Sequence, residues 1–198
     1  MSIRPAELIT LGIFSVMIIT INMAINMLAV LSPFLIPITK SLSGMMAGIP
    51  FILYLARVKQ KGLISLMAMV LATVMVLAGD YALTLVSALI AGGIADTICS
   101  AARKNQRRAL MVLGYGIFNL WSVGGLLPLL FMRQKMESQV AEQLGQEYAD
   151  SFSSFFSAPV IGWLLAGIFV SGLLGAVIGL GVLNKHFVRS GLVQKQGG

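Results

Sequence analysis

The stretch SALIAGGIADTICSAARKNQRR, Ser87 to Arg108, sets both the class of this chain and its orientation. Its first sixteen residues are apolar or small, with a single carboxylate at Asp96, and it closes on Arg103, Lys104, Arg107 and Arg108. Basic residues gather on the cytoplasmic side of a membrane, so these four mark an inner end. The segment therefore enters from outside near Tyr81 and leaves inside near Ala102. Ala91, Gly92, Gly93 and Ala95 let a neighbouring helix approach the backbone closely. A carboxylate costs roughly 2.5–3.5 kcal/mol at mid-membrane and less near the interface, so Asp96 must find a partner or water. Two roles fit it: a coupling or ion-handling site, and the favoured structural one, an anchor near the helix end for a basic residue such as Arg103.

Composition extends this reading to the whole chain. Of 198 residues, 58% are hydrophobic and 11% charged, against about 25% charged in a soluble domain. The expected fold is all-α, a polytopic membrane protein formed as one integral membrane domain over residues 1–198. The first apolar run is too long for a cleavable signal peptide, and no small-residue cleavage site follows a short core. The net charge of +7 is spread over loops, so it reports topology and not nucleic-acid binding. Cys99 is the single cysteine, which excludes an internal disulfide. HExxH, CxxC and Walker A patterns are absent from the sequence, so neither an enzyme nor an ATPase is expected, and no cofactor.

Working outward from Ser87–Arg108, six apolar spans fit, each near the roughly 20 residues that cross a hydrocarbon core. They cover Leu8–Leu31, a short Leu42–Ala56 after the Pro33–Pro37 turn, Leu63–Ala78, Tyr81–Ala102, Ala109–Met132 and Ala158–Leu183. With the N-terminus inside, the inner segments hold Arg4, Arg57, Lys59, Lys61, the four basic residues above, Lys185, Arg189 and Lys195. Only Lys40, Arg133 and Lys135 fall outside. The asymmetry favours six helices with both termini cytoplasmic.

Between the last two spans, Met136, Val140, Leu144 and Tyr148 recur every four residues among polar ones, followed by Phe152, Phe155 and Phe156. This predicts one short amphipathic outer helix, either a lid over an outward pocket or a plain connector. In the sixth span, Gly167, Ser171, Gly175 and Gly179 form a small-residue stripe, with Gly172 and Ala176 beside it. Such a stripe serves packing inside the chain or docking to a partner.

Few polar residues interrupt the spans. Asn22 and Asn26 lie one helical turn apart in the outer half of the first. Asn119 and Trp121 lie mid-way along the fifth, Tyr81 at the outer end of the fourth, and Trp163 near the outer end of the sixth. Rings and amides in apolar walls suit a small organic ligand, and Lys40 suits an anionic group on it. The alternative roles are an aromatic belt for Trp163 and Tyr81 and interhelical bonding for the two asparagines. The twelve methionines read as adaptable core filler rather than soft metal ligands.

The segments GMMAGIPFILYLARVKQKG (Gly44–Gly62), ALIAGGIAD (Ala88–Asp96) and GYGIFNLWSVGGLLPL (Gly114–Leu129) resemble the S-components of energy-coupling factor (ECF) transporters, closest to the Trep_Strep-type branch. The resemblance implies a membrane subunit that binds a vitamin or other trace nutrient at the outer face. It also implies docking on a transmembrane T-component and two ATPases, with toppling in the membrane to release substrate. The family's first-span docking pattern of spaced alanines is replaced here by Gly12, Thr20 and Ala24. Nickel and cobalt members carry a histidine at position two, where this chain has Ser2, so no divalent-metal substrate is expected. A tetrapyrrole such as haem stays open. The competing classes are a non-transport assembly or scaffold protein and a self-contained facilitator, for which an inverted repeat with broken helices is the missing sign.

Overall fold

A computed structural model describes residues 4–188. Ser2, Arg189 and Lys195 therefore lie outside the described residues. Helix α1 (Pro5–Asn26) starts on a proline, whose missing N–H and fixed φ suit a first turn. It tightens into a 3-10 turn, Met27–Leu31, and Pro33 opens a second one, Pro33–Leu35. Helix α2 follows at once as Ile36–Arg57. It is longer than the expected Leu42–Ala56, because Pro37 stands in its first turn, where proline is tolerated, and Lys40 and Ser41 are helical despite their polarity. The helix also runs through the buried Pro50, which neighbouring helices permit in membrane segments.

Helix α3 (Leu63–Leu77) begins behind Gly62, whose φ of 95° is left-handed, and α4 spans Leu83–Asn105. Helix α5 (Arg108–Asn119) gives way to a 3-10 segment, Leu120–Gly125, and then to a single turn, α6 (Pro128–Phe131). The expected single outer helix is instead two, α7 (Arg133–Leu144) and α8 (Gln146–Phe155). They are split at Gly145, whose φ of 89° no helix accepts and an L side chain rarely adopts. Helix α9 (Ala158–Val182) ends in a π-helical turn, Leu183–Val188.

Among the described residues, four stretches are long and apolar enough to cross a membrane: Pro5–Leu31, Pro33–Arg57, Leu83–Asn105 and Ala158–Lys185. Of the other two expected spans, α3 has 15 residues and the fifth is broken at Leu120. Both run beside α4. Packing closes a ring in the order α1, α2, α9, α5, α4, α3 and back to α1. Within it Phe51 packs, tilted, against Tyr115 and Phe118 at ring distances of 4.7 and 4.5 Å. A second apolar cluster fills the end covered by α7 and α8, where Phe152 and Phe156 meet Val123, Ile161 and Leu164. The outward faces stay apolar, including Ile9, Ile13 and Val16 of α1 and Val170, Leu174 and Val177 of α9. Such a surface is stable only against lipid or another protein.

Small residues decide the closest crossing. A Cβ at Gly175 would stand 2.5 Å from the Met45 carbonyl oxygen, and one at Gly179 would stand 2.8 Å from that of Gly48. The stripe of the sixth span, with Ser171 buried and Gly167 nearest Ser41, is thus covered by α2 of the same chain.

Asp96 has a role other than anchoring Arg103. Its carboxylate accepts the backbone N–H of Gly62 at 2.8 Å and of Ile64 at 3.3 Å, so it caps the start of α3. Those N–H groups have no partner inside their own helix, and a negative charge also favours a helix N-terminus. Arg103, two turns further along α4, donates to the Val58 carbonyl at 2.7 Å, at the end of α2. One face of α4 therefore holds both ends of the α2–α3 turn, each with the charge that its helix end prefers.

Candidate functional site at the outer end of the ring

The polar residues of the outer half converge on a few residues of α2, from Lys40 to Gly44. Asn22 is buried and turns its amide back to the Ile18 carbonyl, 2.9 Å away. Asn26, one turn on, donates to the Asn22 carbonyl at 2.8 Å and to Ser43 Oγ at 3.3 Å. Ser43 in turn donates to the Lys40 carbonyl at 3.1 Å. The Oδ1 atom of Asn26 is buried and has no partner.

The next residue of α2 meets α5. Asn119 lies against Gly44 so closely that any Cβ there would collide with its amide. That amide donates to the Ile168 carbonyl of α9 at 2.8 Å, and the Tyr115 hydroxyl donates to the Gly44 carbonyl at 2.6 Å. Asn26 and Asn119 thus flank α2 at consecutive residues.

Lys40 forms no ion pair among the described residues, and Asp80 is near enough for its charge to act on the ammonium. The Asp80 carboxylate accepts the Tyr81 N–H at 2.9 Å and presses against Gly125, where a Cβ would overlap it. Trp121 is buried in the 3-10 segment, and Ser87 of α4 donates to its carbonyl at 2.6 Å. The same hydroxyl accepts the Gly124 N–H at 3.1 Å. Non-helical backbone at membrane depth requires such outside partners.

Helices α7 and α8 cover this end. Tyr81 donates its hydroxyl to Gln139 Oε1 of α7, and Tyr148 of α8 donates to the Ala29 carbonyl at 2.7 Å. Burial pushes both phenols above their ordinary values, so both stay protonated donors. Arg133 bonds Glu137 at 2.8 Å and reaches the Ser153 carbonyl, tying α7 to α8. Under the edge of this layer, a cleft of about 340 Å³ opens between Leu31–Phe34 and α7–α8, lined by Glu147, Tyr148 and Ser151. A smaller one of about 130 Å³ lies between Asp80, Tyr81, Gly125 and α7.

A family model described as a hypothetical bacterial integral membrane protein (Trep_Strep) matches residues 6–189. The chain belongs to that family. No curated protein and no solved structure matches it. The Trep_Strep match runs from the first turn of α1 past the π-helical turn of α9, so it includes the outer layer and every residue of the polar hub.

Two groups named from the Trep_Strep sequence lie away from the hub. Trp163 is 78% exposed on the outward side of α9, a position that suits an interfacial ring. Gly12, Thr20 and Ala24 are exposed on the outward side of α1, and a Cβ at Gly12 would meet nothing within 4 Å. Asp80, Ser43, Ser87, Gln139 and Tyr148 complete the site, though none stood out as a ligand residue by spacing. Asp80 carries the one usable signal in the sequence, a carboxylate between two apolar spans.

Proposed function

We propose that this chain is the substrate-specificity subunit of an energy-coupling factor importer. It crosses the bacterial cytoplasmic membrane six times with both termini inside, and takes a small organic, vitamin-like nutrient at its outer face. It delivers that nutrient when docked on a T-component and two ATPases, and performs no chemistry of its own. One observation carries the reading: at the end of the ring that α7 and α8 cover, the polar hub holds an unmatched buried amide oxygen, Asn26 Oδ1. A buried acceptor without a donor costs about 1–3 kcal/mol, which a ligand N–H or O–H recovers. The unpaired Lys40 ammonium suits an anionic group on the same ligand. The exposed Gly12, Thr20 and Ala24 leave a smooth outward strip on α1 for a partner helix.

The test is binding. Native mass spectrometry of the purified chain identifies the retained small molecule, and equilibrium titration compares wild type with Asn26→Leu. Losing one matched hydrogen bond weakens affinity roughly five- to a hundredfold. Unchanged affinity in Asn22→Leu, Asn26→Leu and Lys40→Met alike places the site elsewhere. Failure to copurify with ATPase subunits rejects the importer assignment.

A further inference from the structure

The opposite end of the ring carries a second concavity, unconnected with the nutrient site. It measures about 530 Å³ and lies where α2 ends, α3 begins and α4 ends. Leu55 and Val58, both almost fully covered, back the cleft, Ala56 is its partly exposed apolar edge, Lys59 and Lys61 form the turn beside it, and Arg103 and Lys104 the wall from α4. None of its lining residues is acidic.

The two carboxylates known at this end are engaged elsewhere. Asp96 is held by the Gly62 and Ile64 N–H groups, and Glu7 faces Arg4 at 3.8 Å. Two helix C-termini and two N-termini meet here, so their partial charges offset one another. The cations of the cleft are thus uncompensated. Among the described residues no hydrogen bond or ion pair restrains Lys59, Lys61 or Lys104, whereas Arg103 is fixed by Val58 and by Ser100 at 3.2 Å. The cleft has a rigid guanidinium floor and three mobile ammonium arms.

We propose that this cleft seats the phosphate headgroup of an anionic phospholipid. Its two chemistries select a lipid over a soluble anion. Ala56, the accessible apolar edge, lies in the last turn of the apolar stretch Pro33–Arg57, while Lys59 and Lys61 lie beyond the end of that stretch. A ligand that fills both levels carries a phosphate above and acyl chain below. Cationic pockets at the membrane boundary of a helix bundle bind such headgroups. An acidic protein segment satisfies the cations but gains nothing from the apolar stretch that ends beside them.

Delipidated full-length chain is titrated with phosphatidylglycerol or with phosphatidylcholine of the same acyl chains, and bound lipid is counted by native mass spectrometry. Phosphatidylglycerol should bind at least about tenfold more tightly, each cation contributing about fivefold. The variant Lys59→Gln/Lys61→Gln/Lys104→Gln should lose on the order of a hundredfold, and Lys135→Gln, on the other side, should lose nothing. All four side chains are exposed, and thermal melting verifies that the variants fold. Equal affinity for the two lipids, or equal loss in Lys135→Gln, overturns the proposal. So does displacement of the lipid by millimolar glycerol phosphate, which marks a soluble-anion site. Binding of a polyglutamate peptide in place of the lipid, with the same dependence on the three lysines, marks an acidic protein partner instead.

Discussion

Replacing Gly175 with alanine should pry α2 from α9. An added Cβ would lie 2.5 Å from the Met45 carbonyl oxygen, 2.9 Å from its Cα and 3.0 Å from the Gly44 oxygen. Ordinary contact begins at 3.4 Å, so the backbones must part by about 0.9 Å at the worst point. All three obstacles are backbone, so no side chain can turn aside. Overpacking of this kind costs about 1–3 kcal/mol, and alanine returns about 0.5–1 kcal/mol through its better helix propensity. The net expectation is a loss of about 1–2 kcal/mol. Membrane helices associate through close packing rather than through a hydrophobic driving force, so little else compensates. Gly181→Ala is the control, because a Cβ there meets nothing within 4 Å. It should gain the helix term and lose nothing. Unfolding in mixed micelles of rising dodecyl sulfate content, followed by circular dichroism, gives both values. Equal stability of Gly175→Ala and Gly181→Ala would refute the crossing described here.

Four further outcomes are expected. Asp96→Ala removes a charged acceptor from two backbone N–H groups and should cost at least about 1.5–3 kcal/mol in the same unfolding assay, with Asp96→Asn intermediate; full stability of the alanine variant contradicts the cap. Tyr148→Phe should raise hydrogen exchange across α7–α8 while leaving α2 and α9 protected, and unaltered exchange in the outer layer means that the phenol holds nothing. A cysteine probe at Gln143→Cys should react with an impermeant reagent in intact cells and one at Gln106→Cys should not, the buried Cys99 staying silent; the reverse pattern inverts the topology. Ser87→Ala orphans the Trp121 carbonyl and the Gly124 N–H and should cost about 1–3 kcal/mol, a loss that Ser87→Thr restores in part.

Much of the ring was legible because membrane helices announce themselves by length, apolarity and small-residue spacing. The Gly167–Gly179 stripe is read directly from four-residue steps, although only the structure shows α2 lying on it. The start of α2 was hidden, since Pro37, Lys40 and Ser41 look like a loop until one sees that proline is welcome in a first turn. The outer layer was read as one helix because hydrophobic spacing carries across Gly145, while the break depends on backbone conformation and leaves little trace in polarity. Asp96 shows the limit most clearly. Its partners are backbone N–H groups more than thirty residues away, and amides that every residue possesses give no pattern to search for. The hub around Lys40–Gly44 was visible as scattered amides, but not as a meeting place.

The Ser87 hydroxyl has a consequence for biogenesis. A translocon judges each emerging segment by what its backbone and side chains cost in lipid, and the 3-10 break after Asn119 leaves polar groups that no residue of the fifth segment satisfies. The hydroxyl that satisfies them is on the fourth segment, which leaves the ribosome first. The fifth segment is therefore a poor passenger alone and a good one in company. On the proposed six-span reading, it would enter the bilayer as the second arm of a hairpin, with α4 waiting at the lateral gate.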